Sequence, residues 1–208
     1  MNKKLDLENW ERKEHFAFFS QMEEPFFGVT VKINCTKAYQ KAKELNVSFF
    51  TYYLHKTLAA VNAIENFRYR IINNEIIIFD TIDASATILR ADNTFGFSHI
   101  IFSDDLALFN ENLTTEIARI QSTTGLFTKE YPDNLIHFSS LPWIKFQSFS
   151  HARSFTFPDS CPKISFGKMT VSKSGKRKMP VSVHVHHGLA DGYHVGQFID
   201  LLQELMDS

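Results

Sequence analysis

Two adjacent histidines near the C-terminus precede a short turn and an acidic residue, in the order His186-His187-Gly188-Leu189-Ala190-Asp191-Gly192. The alternation of Val181, Val183 and Val185 before them predicts a strand whose apolar face ends at His187. Partial desolvation at that position favours the uncharged imidazole, which is the form that a general base needs. A hydrogen-bonded core histidine is the alternative interpretation of any single histidine.

The residues after His187 predict a sharp corner between this strand and the last helix. Asp191 follows four residues later, where its carboxylate can cap the first turn of that helix. We expect Gly188 and Gly192 to permit backbone conformations that larger residues resist. The pattern therefore places an imidazole at the tip of a strand–turn–helix corner.

Hydrophobic periodicity and capping residues predict the elements around this corner. Helices are predicted over residues 7–19, 36–45, 48–64 and 103–120 and from about residue 191. Strands are predicted over residues 27–35, 67–72, 76–79, 86–89, 95–102, 135–138, 163–172 and 181–186. Because no linker, repeat or low-complexity segment interrupts them, residues 1–208 are expected to form a single α+β domain.

The amino-acid composition argues against several classes of protein. The net charge of -1 over 208 residues argues against binding nucleic acid or an anionic membrane. Cys35 and Cys161 lack the spacing of a disulfide framework or a zinc finger. No apolar run reaches membrane-spanning length and the first residues lack a signal-peptide core, so a cytoplasmic location is expected. The 21 phenylalanines predict core packing, with an aromatic cavity as an additional use.

The HHxxxDG pattern resembles the CoA-dependent acyltransferase superfamily, which includes chloramphenicol acetyltransferases, dihydrolipoyl acyltransferases and peptide-synthetase condensation domains. Three further blocks resemble the chloramphenicol acetyltransferases in particular. They are Asn9-Trp10-Glu11-Arg12-Lys13-Glu14-His15-Phe16, Ser139-Ser140-Leu141-Pro142-Trp143 with Phe146 and Phe149, and Asp191-Gly192-Tyr193-His194-Val195 with its following helix. The blocks occur in family order along nearly the whole chain. The resemblance implies a two-layer α+β sandwich, with a mixed β-sheet packed by helices.

The resemblance also implies an activity, acetyl transfer from acetyl-CoA to a hydroxyl of chloramphenicol or a related small alcohol, and with it a role in antibiotic resistance. His187 would be the general base and Ser139 the hydrogen-bond donor to the oxyanion. Asp191 and Arg12 would form an ion pair that supports the His187 loop. The family assembles as a homotrimer with active sites at subunit boundaries and uses no metal. Taken alone, Ser139 is a loop hydroxyl and Arg12 a solvated helix charge.

Acceptor contacts are implied only by position in the family pattern. They are Phe18, Phe19, Phe27, Phe95, Phe97, His137 and Phe149. Phe19 replaces a tyrosine of chloramphenicol-specific members, His137 replaces an asparagine, and His151 and Arg153 lie in a stretch that is apolar in those members. Because lost hydrogen-bond partners discriminate strongly between substrates, a different acceptor alcohol is an open alternative.

Contacts to CoA are implied at Lys168 and Ser165. The basic run over residues 173–178 would attract phosphates, although a solvated turn explains the same residues.

Two other classes of protein remain as alternatives. His184 and His186 share a strand face and could bind zinc, with His194 or a distant carboxylate as a further ligand, in a metal-dependent hydrolase. A non-catalytic member of the acyltransferase fold would keep the same elements without the activity.

Overall fold

The computed structural model describes residues 2–153 and 159–208. Its helices are α1 (Lys13–Phe19), α2 (Thr36–Glu44), α3 (Phe49–Ala63), α4 (Leu106–Gln121) and α5 (Gly192–Asp207), with a 3₁₀ turn at Glu65–Arg68. Its strands are β1 (Lys3–Lys4), β2 (Phe26–Asn34), β3 (Tyr69–Ile72), β4 (Glu75–Ile78), β5 (Asp83–Leu89), β6 (Phe95–Phe97), β7 (Leu135–Leu141), β8 (Lys163–Gly167), β9 (Thr170–Val171) and β10 (Arg177–His186).

Within the described residues, seven strands form a mixed sheet in the order β2-β10-β8-β7-β5-β6, with β9 beside β10. The pairs β5/β7 and β7/β8 are parallel, and the other pairs are antiparallel. A smaller sheet, β1-β4-β3, closes on the hairpin turn Asn73-Asn74, whose positive φ angles of 51° and 63° are typical of asparagine in tight turns. The α+β class with a mixed sheet is confirmed.

Helices cover one face of the large sheet. α3 packs against α2, α4 and α5, while α5 also contacts β2 and α4 contacts β5. The strand residues on this face, including Phe138, Ile164 and Val183, are buried in the same hydrophobic core as Leu58 and Phe198 of the helices. Burial of these apolar side chains holds the two layers together.

The opposite face of the sheet carries polar side chains in two cross-strand rows. Ser139, Ser165 and Ser182 are register partners on β7, β8 and β10, and we call them the hydroxyl row. His137, Lys163 and His184 are partners one step along the same strands, and we call them the basic row. Because strand side chains alternate, both rows lie on the face opposite to Phe138, Ile164 and Val183.

The predicted helix over residues 7–19 is wrong in its first half. Residues 7–12 form turns, and α1 begins only at Lys13. Trp10 packs edge-on against Tyr69 with ring centroids 5.6 Å apart, and Arg12 turns toward the C-terminal corner. These tertiary contacts override the helical preference of the segment.

Three predicted strands are shorter than expected. The strand predicted from residue 67 begins only at Tyr69, because a 3₁₀ turn occupies Glu65–Arg68. Beyond β6, the segment to residue 102 contributes only an isolated bridge between Ala84 and Ile100. The predicted strand over residues 163–172 breaks at Lys168, whose N–H donates to the carbonyl of Ile144 at 2.8 Å instead of to a neighbouring strand. The predicted starts of α3 and α5 agree with the structure, where Ser48 and Asp191 cap the helices with a side-chain oxygen. The helix predicted from residue 103 begins at Leu106, after the cap residue Asp105.

Replacing Phe198 by Ala should destabilise the fold by about 3–5 kcal/mol, because it leaves a cavity where a fully buried ring stacks on Phe67 at 4.9 Å. Urea denaturation measures the free energy of unfolding. The matched control is Phe127→Ala, since Phe127 is 70% exposed and should cost less than about 1 kcal/mol. Equal losses in the two variants would contradict the assignment of the core.

Candidate active site

Three hydrogen bonds to backbone atoms fix the corner at the end of β10. The N–H of His187 donates to the carbonyl of Pro25 at 2.7 Å, and that of Ala190 donates to the carbonyl of His186 at 3.0 Å. The carbonyl of Leu189 accepts from the Asn66 side chain at 2.8 Å. The turn therefore has little freedom to move the imidazole.

The imidazole of His187 lies against two aromatic rings. It stacks on Phe19 with centroids 3.8 Å apart and planes 5° from parallel, and it contacts Phe27 at 4.5 Å. Phe18 packs edge-on against Phe19 but is 62% exposed itself. Within the part of the chain that the structure describes, His187 Nδ1 is buried and has no hydrogen-bond partner. The apolar environment predicted for this histidine is present.

Arg12 joins the N-terminal segment to the corner. Its Nη1 donates to Asp191 Oδ2 at 2.5 Å and its Nη2 donates to the carbonyl of His187 at 3.2 Å. The ion pair predicted between Arg12 and Asp191 is therefore present. Burial raises the pKa of the Asp191 carboxyl, but the hydrogen bond from Arg12 and the nearby His194 outweigh it and hold the pKa at about 2.

The two glycines of the corner differ from expectation. Neither has the positive φ angle that favours glycine. Gly188 lies close to two rings instead, because a Cβ there would lie 3.0 Å from the His186 ring and 3.2 Å from Phe16, and these rings would have to shift by a few tenths of an ångström. At Gly192 a Cβ would meet no described atom within 4 Å, so the conformational argument for this residue was wrong.

Ser139 lies on the wall of a separate cavity of about 640 Å³. Three predicted acceptor residues, Phe95, Phe97 and His137, line this cavity as well. Phe149 does not line it, but its ring packs at 4.6 Å against His151, which does. The predicted acceptor residues thus form two groups, one around His187 and one around Ser139.

The two groups are far apart within one chain. Ser139 is in register with Ser182 through Ser165, and His187 lies five residues beyond Ser182. His187 therefore lies roughly 16 Å from Ser182 along the direction of β10, and β10 lies roughly 10 Å, or two strand spacings, from β7. A single substrate cannot hydrogen-bond to both side chains of the same chain.

The residues predicted to contact CoA are also separated. Lys168 is exposed beyond the end of β8, whereas Ser165 is fully buried in the middle of that strand. Ser165 belongs to the hydroxyl row beside Ser139 and lies 3.5 Å from His151 Nε2. Ser165 does not line the cavity, so it lies neither on the cavity wall nor beside Lys168.

The histidines of the zinc alternative have other neighbours. His184 packs edge-on against His151 at 4.9 Å, and His186 packs against Phe26 at 5.6 Å. His194 lies 2.8 Å from the Asp191 carboxylate. Over residues 2–153 and 159–208, no three His, Cys, Asp or Glu side chains converge in a way that would hold a metal ion.

Charged residues that the sequence argument missed line the same cavity. They are Arg70, Asp133, Asp159 and Lys163. Lys163 opens the strand predicted over residues 163–172, and it is only 4% exposed in the structure. A buried lysine is unusual unless it is paired, but neither this burial nor the convergence of Arg70 from β3 could be predicted from the sequence. None of the helices in the described part of the chain is both long enough and apolar enough to cross a membrane.

The fold of this chain is that of the chloramphenicol acetyltransferases. The family model for chloramphenicol acetyltransferase matches residues 1–203. Chloramphenicol acetyltransferase 3 of Escherichia coli is 32% identical to this chain, and the match covers 99% of this chain and 97% of the relative. A chloramphenicol acetyltransferase of Bacillus pumilus is 31% identical, and the match covers 100% of this chain and 94% of the relative. A solved chloramphenicol acetyltransferase superposes with a TM-score of 0.91 at 29% identity, covering 99% and 100%. The chain belongs to the chloramphenicol acetyltransferase family, whose function is acetyl-CoA-dependent O-acetylation of chloramphenicol.

Replacing Asp191 by Asn should remove the charge that Arg12 binds and change the acid stability of the protein. The folded-state pKa of about 2 lies below the ordinary 3.8, so this carboxylate stabilises the fold above about pH 4 and loses that effect as the pH falls toward 2. We expect a lower Tm for the variant at pH 7 and a flatter Tm profile between pH 4 and pH 2. Asp200→Asn, on the exposed side of α5, is the control; identical profiles for wild type and Asp191→Asn would contradict the assignment.

Proposed function

We propose that this protein transfers the acetyl group of acetyl-CoA to a hydroxyl of chloramphenicol or a related small alcohol, with His187 as the general base. The observation that carries the proposal is the His187 imidazole, which stacks on Phe19 and whose own carbonyl is held by Arg12. A general base must be fixed in direction, and these two contacts hold the ring and the backbone that carries it. The match of the family model to residues 1–203 supports action as a single domain.

His187 removes the proton of the acceptor hydroxyl as its oxygen attacks the thioester carbonyl. A new ester C–O bond forms, the C–S bond breaks, and His187 returns the proton to the departing sulfur. Proton transfer of this kind typically contributes about 10²–10⁴-fold in rate. No covalent bond to the protein is required, because binding both substrates side by side makes the attack effectively intramolecular.

Ser139 is the donor that this mechanism assigns to the oxyanion of the tetrahedral intermediate. It lies on the cavity wall and its side chain is partly exposed to that cavity. A hydroxyl on a strand is held in place by its backbone ladder, which suits a preorganised donor. Asp191 and Arg12 act on orientation through the loop and take no part in proton transfer.

A second copy of the chain completes the site in this proposal. The base and the oxyanion donor must both contact one intermediate, yet in one chain His187 lies roughly 16 Å along β10 and roughly 10 Å across the strands from the position of Ser139. The His187 corner of one subunit would therefore face the Ser139 cavity of its neighbour, as in the homotrimer that the family resemblance implies. The location of the protein in the cytoplasm stays a prediction.

Replacing His187 by Ala should abolish thiol release from acetyl-CoA in the presence of chloramphenicol or another alcohol, and Ser139→Ala should lower kcat by about 10²–10³-fold. A thiol-reactive dye follows the release. His15→Ala and Ser122→Ala are controls of the same residue types at exposed positions. Full activity of His187→Ala would contradict its role as the general base. If the wild type showed no activity with any alcohol, a non-catalytic member of the fold would be favoured.

Mixing subunits tests the shared site. His187→Ala and Ser139→Ala are each expected to be nearly inactive alone. When the two are unfolded and refolded together, some interfaces combine an intact His187 with an intact Ser139, so part of the activity should return. Each variant refolded by itself is the control. Absence of any recovery in mixed assemblies of confirmed composition would argue for sites within single subunits.

A further inference from the structure

The cations that line the cavity of about 640 Å³ are all paired with other parts of the protein. Lys163 Nζ donates to Asp159 Oδ2 at 2.5 Å. Arg70 donates to backbone carbonyls through all three of its guanidinium nitrogens. Arg153 pairs with Glu24 and lies 3.9 Å from the Asp159 carboxylate. Recognition of an acceptor therefore depends on the uncharged polar groups of the cavity wall.

His151 is one of these uncharged groups. Its ring is half-buried on the cavity wall, where Phe149 and His184 pack edge-on against it at 4.6 Å and 4.9 Å. Burial lowers the pKa of this imidazole to about 4, and the nearby positive charges of His184 and Lys163 act in the same direction. The ring is therefore neutral near pH 7, and each of its nitrogens can form one hydrogen bond.

The two ring nitrogens of His151 have different surroundings. Nε2 lies 3.5 Å from the hydroxyl oxygen of Ser165, which is fully buried and does not line the cavity. Nδ1 has no hydrogen-bond partner over residues 2–153 and 159–208. Because a polar atom without a partner in a half-buried ring gains from a new hydrogen bond, Nδ1 is the nitrogen that is left for a ligand in the cavity.

The register of the sheet sets how far His151 lies from the proposed chemistry. Ser165 and Ser139 are register partners on β8 and β7, roughly 5 Å apart. Since Ser165 is in contact with His151, the imidazole lies within roughly 9 Å of Ser139. One small molecule in the cavity therefore reaches both side chains.

From this arrangement we propose that His151 determines acceptor specificity, because its Nδ1 forms a hydrogen bond with a second, non-reacting hydroxyl or amide group of the acceptor. The inference rests on the proposed function, which places the reacting hydroxyl near Ser139. An acceptor without the second group leaves the ring nitrogen unpaired in the closed site, which lowers its affinity. Hydroxyls elsewhere on the wall, such as that of Thr87, can turn toward nearby carbonyls, whereas a ring nitrogen cannot.

The test compares neutral acceptors of similar shape with and without the second hydroxyl. The diols 1,3- and 1,4-benzenedimethanol are assayed with acetyl-CoA against 3- and 4-methylbenzyl alcohol. Because each diol has two equivalent reacting hydroxyls, about a twofold higher kcat/KM arises from statistics alone. We expect the better diol to exceed its methyl analogue by about 10-fold, since the hydrogen bond to His151 contributes about fivefold.

Substitutions of His151 show which ring nitrogen is responsible. His151→Leu removes both nitrogens, so the ratio of diol to methyl compound should fall to the statistical value. His151→Asn places a polar atom where Nδ1 lies and should keep the ratio, whereas His151→Gln reaches only the position of Nε2 and should lose it. His15→Leu, at an exposed position, is the control and should leave the ratio unchanged. Turnover of the methyl compounds, which should change little, shows that each variant is folded.

A statistical ratio in the wild type, or a high ratio that survives in His151→Leu, would overturn the proposal, as would a ratio that is lost only in Thr87→Val. Titration calorimetry of the same compounds without acetyl-CoA separates recognition from activity. If no alcohol gives His187-dependent thiol release but the diol binds more tightly than its analogue only when His151 is present, the proposed function fails and the role of His151 stands. If thiol release occurs with the statistical ratio, the function stands and the role of His151 is rejected.

Discussion

The contact of Arg12 with both the Asp191 carboxylate and the His187 carbonyl is the constraint on which the candidate site depends. It joins segments 179 residues apart in the chain, so the corner is held by the fold as a whole and not by local turn preferences. The N-terminal segment is held near this corner by a small second hydrophobic core, in which Trp10 and Phe16 pack against Tyr69, Ile76 and Leu189. A guanidinium suits the task because its planar fork donates to two acceptors at once.

Much of this corner could be predicted from the sequence, because its signals are local. Alternating valines predicted β10, and Asp191 predicted the start of α5, where it caps the first turn. The helix predicted from residue 7 was wrong because Trp10 and Arg12 serve distant partners, and such contacts leave no periodicity in a short segment. The family resemblance supplied the roles of Ser139 and Arg12, which no local pattern indicates.

The cavity illustrates a different limit of sequence reasoning. Alternation along β7 and β8 places His137 and Lys163 on the polar face, but only the register between the strands puts them side by side. A shift by one residue would move Lys163 into the hydrophobic layer beside Phe138, where its charge would be without a partner. The pairing of Lys163 with Asp159 thus supports the register as well as the chemistry of the cavity.

The separation of the base corner from the cavity has a consequence for specificity. The corner is built from the first helix, the end of β10 and the start of α5, whereas the cavity is lined by β3, β5, β6, β7, β8 and the segment around Arg153. Phe19 and His187 are not part of the cavity wall, so His137, His151 and Arg153 can vary there without disturbing the stack of His187 on Phe19. In the proposed mechanism the acceptor can therefore vary, provided that the distance and direction from His187 to the hydroxyl are kept.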